Sequence, residues 1–229
     1  MEHRIDQIPR MSMIEQNDKN CKDIIINGSA SPELYSWLGA SIAKNTRLQK
    51  LEIKLKQDSS SLDVANYREI LVGIKQNASI EKLHIDFGNM TVVGGVEHKV
   101  LQAYEENPSN LVEILIKHAI LQKGGDTLSP GDSIISLLRR CTNLTTIIIQ
   151  GCNLTGSQLL PMVEAMKENS SLRYLDLNSN RIGISGCKIL ASLFGDTKCH
   201  IKALDIGGNE IGNEGVITLV DSLVNNTQQ

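Results

Sequence analysis

The sequence predicts an α/β solenoid, a horseshoe of about seven strand–helix units with one parallel sheet on the concave face and helices on the convex face. Three observations predict it. A short apolar phrase returns along the chain at a mean interval near 30 residues. After each phrase the apolar spacing changes from 2 to roughly 3.6, as expected where a strand hands over to a helix. Aromatics make up only 3% of the 229 residues, so the core must be built from Leu, Ile and Val, which suits a stack of similar layers.

The clearest phrases are LRYLDLNSN from Leu172 and IKALDIGGN from Ile201, closing on Asn180 and Asn209. LTTIIIQGC from Leu144 closes on Cys152. Weaker copies begin at Cys21, Leu48, Ile80 and Leu111, so the repeat domain runs over 21–229 with units starting near 21, 48, 80, 111, 144, 172 and 201. Alternate apolar residues of a phrase, such as Leu175 and Leu177, face the core. The closing Asn is expected to bond loop backbone groups that would otherwise be unpaired, and a small buried Cys can replace it.

The helical halves repeat too. After Asn180 and Asn209 the two copies share Ile182/Ile211, Gly183/Gly212, Gly186/Gly215 and Leu190/Leu219. Ser31–Pro32 and Ser129–Pro130 place a capping Ser before a Pro at the first helical position. Polar stretches such as KNTR, KQNAS and KENSS end helices. Residues 1–20 predict an N-terminal cap, partly helical or frayed. At the other end, either the last helix caps itself through polar residues such as Asp221 or the chain is cut short. A strand joined through a helix to the next strand gives a parallel sheet. Strands spaced about 4.8 Å apart beside helices needing roughly 8–10 Å must bend the stack toward the strands.

The phrase L-x-x-L-x-L-x-x-N followed by x-I-G-x-x-G-x-x-x-L resembles the ribonuclease-inhibitor class of leucine-rich repeats. The resemblance is specific from Leu144 to Leu223. From Cys21 to Arg140 only the period and apolar pattern persist, with Ser29, Lys56, Gly88 and Ala119 in place of the closing Asn. It implies binding of another protein through the concave strands, and a cytoplasmic location. The chain also looks like leucine-rich-repeat effectors that intracellular bacteria deliver to the host cytosol. Two other activities of the same repeat class are alternatives: GTPase activation of the Ran-GAP type, for which Asn178 and Arg181 are the candidates, and actin capping of the tropomodulin type.

Composition narrows the remaining classes. The formal net charge is −3, with Lys+Arg 23 against Asp+Glu 26, so no basic field favours nucleic acid or an anionic membrane. Five cysteines with no paired spacing predict free thiols in a reducing compartment. No apolar run approaches ~18 residues, and the N-terminus lacks a secretory apolar region. There is no P-loop, HExxH, GxSxG or zinc spacing, so neither enzyme activity nor a cofactor is expected. His84 and Asp86 point to one side of a strand but make at most half a metal site. Gly124–Gly125 is a loop turn. A monomer is expected.

The third, fifth and seventh positions of each phrase face solvent. Charges in the first four units are expected to neutralise one another, with Lys54, Asp86 and Lys117 as an alternating ladder, Glu52 beside His84, and Lys82 beside Glu113. Leu115 and Ile148 differ: they share a column on adjacent units, near Thr146 and Tyr174, and the solenoid does not require them to be apolar. An aliphatic pair beside a Tyr suits a binding anchor. Asp176, Asn178, Lys117, His84 and Asp205 complete the expected partner-binding set, with Arg181 and Glu210 on its rim. Phe87 and His118 are expected to extend the surface toward the loop edge.

Overall fold

A computed structural model of the chain describes residues 13–27, 32–54, 64–88, 110–119 and 130–226. Seven strands lie in one parallel sheet in chain order: β1 (Asp23–Asn27), β2 (Lys50–Lys54), β3 (Lys82–Asp86), β4 (Glu113–Lys117), β5 (Thr146–Gln150), β6 (Tyr174–Asp176) and β7 (Ala203–Asp205). The described helices are α1 (Pro32–Lys44), α2 (Val64–Gln76), α3 (Pro130–Arg140), α4 (Gly156–Glu168), α5 (Gly183–Phe194) and α6 (Gly212–Asn226). This is the predicted solenoid, with strands on one face and helices on the other. Pro32 and Pro130 open α1 and α3; the capping residues Ser31 and Ser129 fall outside the described residues, as do Ser29, Lys56 and Gly124–Gly125.

The core is one continuous layer between sheet and helices. Each phrase contributes its first, fourth and sixth residues. Leu144, Ile147 and Ile149 are fully buried, and so, to within a percent, are Leu172, Leu175 and Leu177. In the last unit Ile201, Leu204 and Ile206 are only half-buried. There α6 turns Val216, Ile217, Val220, Leu223 and Val224 outward, each about half exposed. Asp221 is exposed among them. At the opposite end, Ile14 is buried against the first unit. The side chain of Asn17 there donates to Thr46 Oγ1 and accepts from the Thr46 amide. Residues 1–12 of the expected cap lie outside the described residues.

Where the chain leaves a strand, buried side chains complete the hydrogen bonding of the turn. Asn180 Nδ2 donates to the carbonyls of Ile149, Leu177 and Asn178, at 2.7, 2.8 and 3.2 Å. Its Oδ1 accepts from the amides of Cys152 and Leu154, at 2.9 and 3.1 Å. Asn209 repeats the pattern one unit on, donating to Leu177, Ile206 and Gly207 and accepting from Ile182. Cys152 is the expected substitute: its thiol donates to the carbonyls of Gln150 and Ile116.

A second ladder, at the start of the strands, is absent from the sequence expectation. Asn45, Asn77 and Asn169 each precede the first residue of a phrase by three positions. Asn169 Nδ2 donates to the carbonyls of Leu138 and Cys141, and its Oδ1 accepts from the amides of Ser171 and Leu172. Asn77 does the same with Ile42, Asn45, Ser79 and Ile80. Buried Cys141 stands at the equivalent place before Leu144. The polar helix exits of the sequence thus contain a buried structural residue.

The strand-leaving turns use a left-handed residue at the eighth position: His118, Gly151, Ser179 and Gly208 have φ of 56, 62, 57 and 66°. In the third unit that conformation falls one residue later, on Gly88 (φ 58°). Phe87 is thereby turned inward and is fully buried, which corrects its expected place on the surface.

The two ladders predict where stability is concentrated. Asn180→Ala would leave several buried backbone groups unpaired and should lower the unfolding free energy by about 3 kcal/mol. Asn178→Ala, on the open face, should cost less than about 1 kcal/mol. Urea denaturation of both variants checks the difference.

Candidate binding face

The strand pairing builds the solvent-facing side row by row. In one row Lys82 pairs with Glu113, Glu113 with Thr146, Thr146 with Tyr174 and Tyr174 with Ala203. In the next, His84, Leu115, Ile148, Asp176 and Asp205 follow one another strand by strand. Asn178 and Gly207 follow β6 and β7. The register is the one expected from counting along the phrases, so Leu115, Ile148, Thr146, Tyr174, Asp176, Asn178 and Asp205 form one continuous area over β4–β7. His84 and Lys117 border it.

The carboxylates of β2–β4 are each bonded within the chain. Lys50 and Lys54 hold Glu52 from either side, at 3.1 and 2.9 Å. Glu113 lies between Lys82, at 3.2 Å, and His84, at 2.5 Å. Asp86 Oδ1 lies 2.9 Å from His118 Nδ1. The expected Lys54–Asp86–Lys117 ladder is therefore replaced, although the three are in register. Lys54 reaches back along its own strand to Glu52. The left-handed backbone of His118 brings its ring over Asp86. Glu52 and His84 are neighbours in register as expected, but Glu52 turns to these lysines and His84 to Glu113. His84 and Asp86 thus turn to different partners, Glu113 and His118. Among the described residues no three His, Cys, Asp or Glu side chains gather as metal ligands.

These contacts govern ionisation. Burial alone would raise the carboxyl pKa of Glu113, but hydrogen bonds from His84 and Lys82 outweigh it and hold the group below its ordinary range. In Asp86 burial is likewise overcome by His118, the Gly88 amide and the nearby Lys117 charge. Burial is the dominant influence on Cys152, whose thiol is pushed up to about 12 despite the opposing Ala119 and His118 amides. That thiol stays protonated and is no nucleophile.

The area over β4–β7 is of a different kind. Leu115 and Ile148 lie side by side, both half-buried, between His84 and Asp176. Asp176 is 4% exposed, a correction to its expected place on an open polar rim. Short bonds draw it in: its carboxylate accepts from Gln150 Nε2 at 2.6 Å and from the Asn178 amide at 2.9 Å. Asp205 accepts from the Gly207 amide at 2.9 Å and from Asn178 Nδ2 at 3.4 Å. Neither aspartate has a cationic partner among the described residues. Burial, then the Asp176 and Asp205 charges, raise the pKa of the Tyr174 phenol. Arg181 and Glu210 are exposed beside the turns that follow β6 and β7. Nothing in the sequence marked Gln150 as the residue that draws Asp176 inward; its place in the seventh position of the preceding phrase was the available signal.

The family described as Leucine Rich repeat matches residues 168–191 and 197–220. Both matches lie where the sequence carries the full motif. Protein CARMIL of Dictyostelium discoideum is 30% identical over 96 residues, covering 41% of this chain and 9% of that protein. Human NACHT, LRR and PYD domains-containing protein 14 is 28% identical over 87 residues, covering 38% of this chain and 8% of that protein. The chain thus spans less than a tenth of these relatives' length. Among solved structures, the tropomodulin C-terminal domain of Caenorhabditis elegans aligns over 97% of this chain and 94% of its own, at 12% identity and a TM-score of 0.35.

The depressed carboxylates give a pH dependence of defined sign. A group whose folded pKa lies below its unfolded value stabilises fully above the unfolded pKa, and that contribution is lost as pH falls through the folded pKa. Glu113 should therefore stabilise the fold at neutral pH and lose that contribution progressively as pH falls below the ordinary carboxylate range and through its lowered folded pKa. The thermal midpoint of Glu113→Gln should lie below that of the wild type at pH 6, and the gap should narrow steadily on acidification.

Proposed function

We propose that this chain is a non-catalytic scaffold that binds another protein through its concave strand face, centred on Leu115, Ile148 and Tyr174. The carrying observation is the aliphatic pair itself. Leu115 and Ile148 occupy solvent-facing positions in exact register on β4 and β5, while the core residues between them, Ile114, Ile116, Ile147 and Ile149, are all on the opposite side and fully packed. The fold needs nothing apolar at those two places, and water solvates them poorly.

A face of seven strands spans about 30 Å across the strands, enough for a standard interface of roughly 1,600 Å². Its charged half over β2–β4 gives a polar surround, and the Leu115–Ile148 pair gives the desolvated centre that dominates such interfaces. Occupation of the concavity either blocks the partner's own site or recruits the partner. The proposal includes a cytoplasmic location, to which the free cysteines are suited. No described helix is long and apolar enough to cross a membrane.

The test is affinity capture with quantitative mass spectrometry, comparing the wild type with Leu115→Asp/Ile148→Asp. Desolvating each side chain contributes about 1.5–3 kcal/mol, so the double variant should lose its specific partners while retaining its thermal midpoint. Equal capture by a folded variant would refute the proposed face.

A further inference from the structure

We infer that the end of the stack formed by β7 and α6 docks a second copy of this chain, with α6 packed antiparallel against α6 of that copy about a two-fold axis through Val220. The surface departs from the monomer expected of the sequence. It lies at the end of the stack, away from Leu115 and Ile148, and is independent of the concave-face reading.

The last layer is open where the earlier ones are closed. Leu144, Ile147 and Ile149 are fully buried, but the equivalent Ile201, Leu204 and Ile206 are only half-buried. β7 is the last strand of the sheet, and an edge strand is a template for further pairing. α6 packs against α5 through Gly215, where a Cβ would meet the Cys187 thiol at 2.9 Å, and through buried Leu219. One apolar stripe is enough to hold a helix on its neighbour. α6 carries a second: Val216, Ile217, Val220, Leu223 and Val224, each about half exposed.

The spacing of that second stripe points to a second copy as its occupant. Val216 and Val224 are equidistant from Val220 along the helix, and so are Ile217 and Leu223. The stripe therefore reads alike in both directions, which an isologous pair requires and an unrelated partner does not. In the antiparallel pair Val216 meets Val224, Ile217 meets Leu223 and Val220 meets its own counterpart, so every contact along the line is apolar. The nearby charges stay apart. Glu214 is drawn toward α5 by Lys188, at 3.5 Å, and Asp221 falls opposite Leu219 of the second copy, not opposite its own counterpart.

The layers match as well. A two-fold axis along the sheet normal keeps both helical layers on one side and sets β7 antiparallel to β7. Strands about 4.8 Å apart under helices roughly 8–10 Å apart are the spacings each unit of the stack already uses. The five half-exposed side chains, with the open parts of Ile201, Leu204 and Ile206, present roughly 400 Å² of apolar surface. A standard interface buries about 800 Å² per partner, a little over half of it apolar, so the end of the stack carries the apolar area a stable dimer needs.

Sedimentation velocity on the full chain tests this. The wild type should run as a dimer at micromolar concentration, with a thermal midpoint that rises with protein concentration. Val220→Asp puts two carboxylates face to face on the axis and should weaken the dimer at least about a hundredfold. Val220 is half exposed, so the variant should keep the midpoint the wild type shows at high dilution. Ile217→Asp and Leu223→Lys test the register. Each alone should run as a monomer, and their equimolar mixture should recover a heterodimer, because only there does the new aspartate meet the new lysine. A wild type that stays monomeric to about 100 µM, whether or not a different protein is then found on α6, would overturn the inference. So would a dimer that survives Val220→Asp, one that is lost in Leu115→Asp/Ile148→Asp instead, or a mixture that stays monomeric.

Discussion

A parallel sheet built from single short strands must turn its backbone out of the core twice per unit, and each turn leaves buried amides and carbonyls that need partners. Here one residue type supplies them at both ends. An Asn side chain has donors and an acceptor on one short stem, so Asn180 can bind three carbonyls and two amides across neighbouring units. Because those contacts join unit to unit, they fix the stacking as well as the turn. Asn45, Asn77 and Asn169 repeat the device on the opposite edge. Where Cys141 and Cys152 stand instead, burial is kept, and the Cys152 thiol still donates to the carbonyls of Gln150 and Ile116. Four of the five cysteines are buried, and two of them occupy places in these ladders.

The binding face inherits its order from those turns. Fixed stacking sets the strand register, and register decides which side chains share a row. Leu115 meets Ile148, and Asp176 meets Asp205, because the turn residues leave no freedom to slip. The same constraint places a charged half, where Glu52 and Glu113 are held by neighbouring lysines, beside a half that carries the aliphatic pair Leu115 and Ile148.

Much of this was legible in the sequence. The 2-then-3.6 periodicity located all seven strands, and counting along the phrase gave the register even in units that lack the closing Asn. What was not legible lay in side-chain choices among near neighbours. Lys54 faces Asp86 across the sheet yet turns to Glu52, since a flexible lysine reaches carboxylates in several directions. Phe87 follows its strand by one position, as His118 does, but the left-handed turn residue comes later in its unit and sends it to the core. Asp176 occupies an outward position and is nonetheless buried, through bonds to Gln150 and Asn178 that no single phrase contains. The Asn-x-x-Leu signal of the second ladder was visible but hidden among helix-ending polar residues.

On the helical side, contact is made through glycine. A Cβ on Gly73 would lie 2.3 Å from the Gly39 carbonyl oxygen, and one on Gly39 would lie 2.1 Å from that of Glu69. Gly156 is pressed against the Gly186 amide, at 2.7 Å from where its Cβ would stand. These helices touch backbone to backbone, closer than helices bearing side chains at the contact can come. Since sheet spacing is constant, helix separation is the quantity that sets how sharply the stack bends. The glycines on the outside thus act as shims that keep the inner face shallow. A methyl group added there would tighten the arc and crowd the row from Leu115 to Asp205 without touching it, so the width of the concavity is open to adjustment from the surface the partner never meets.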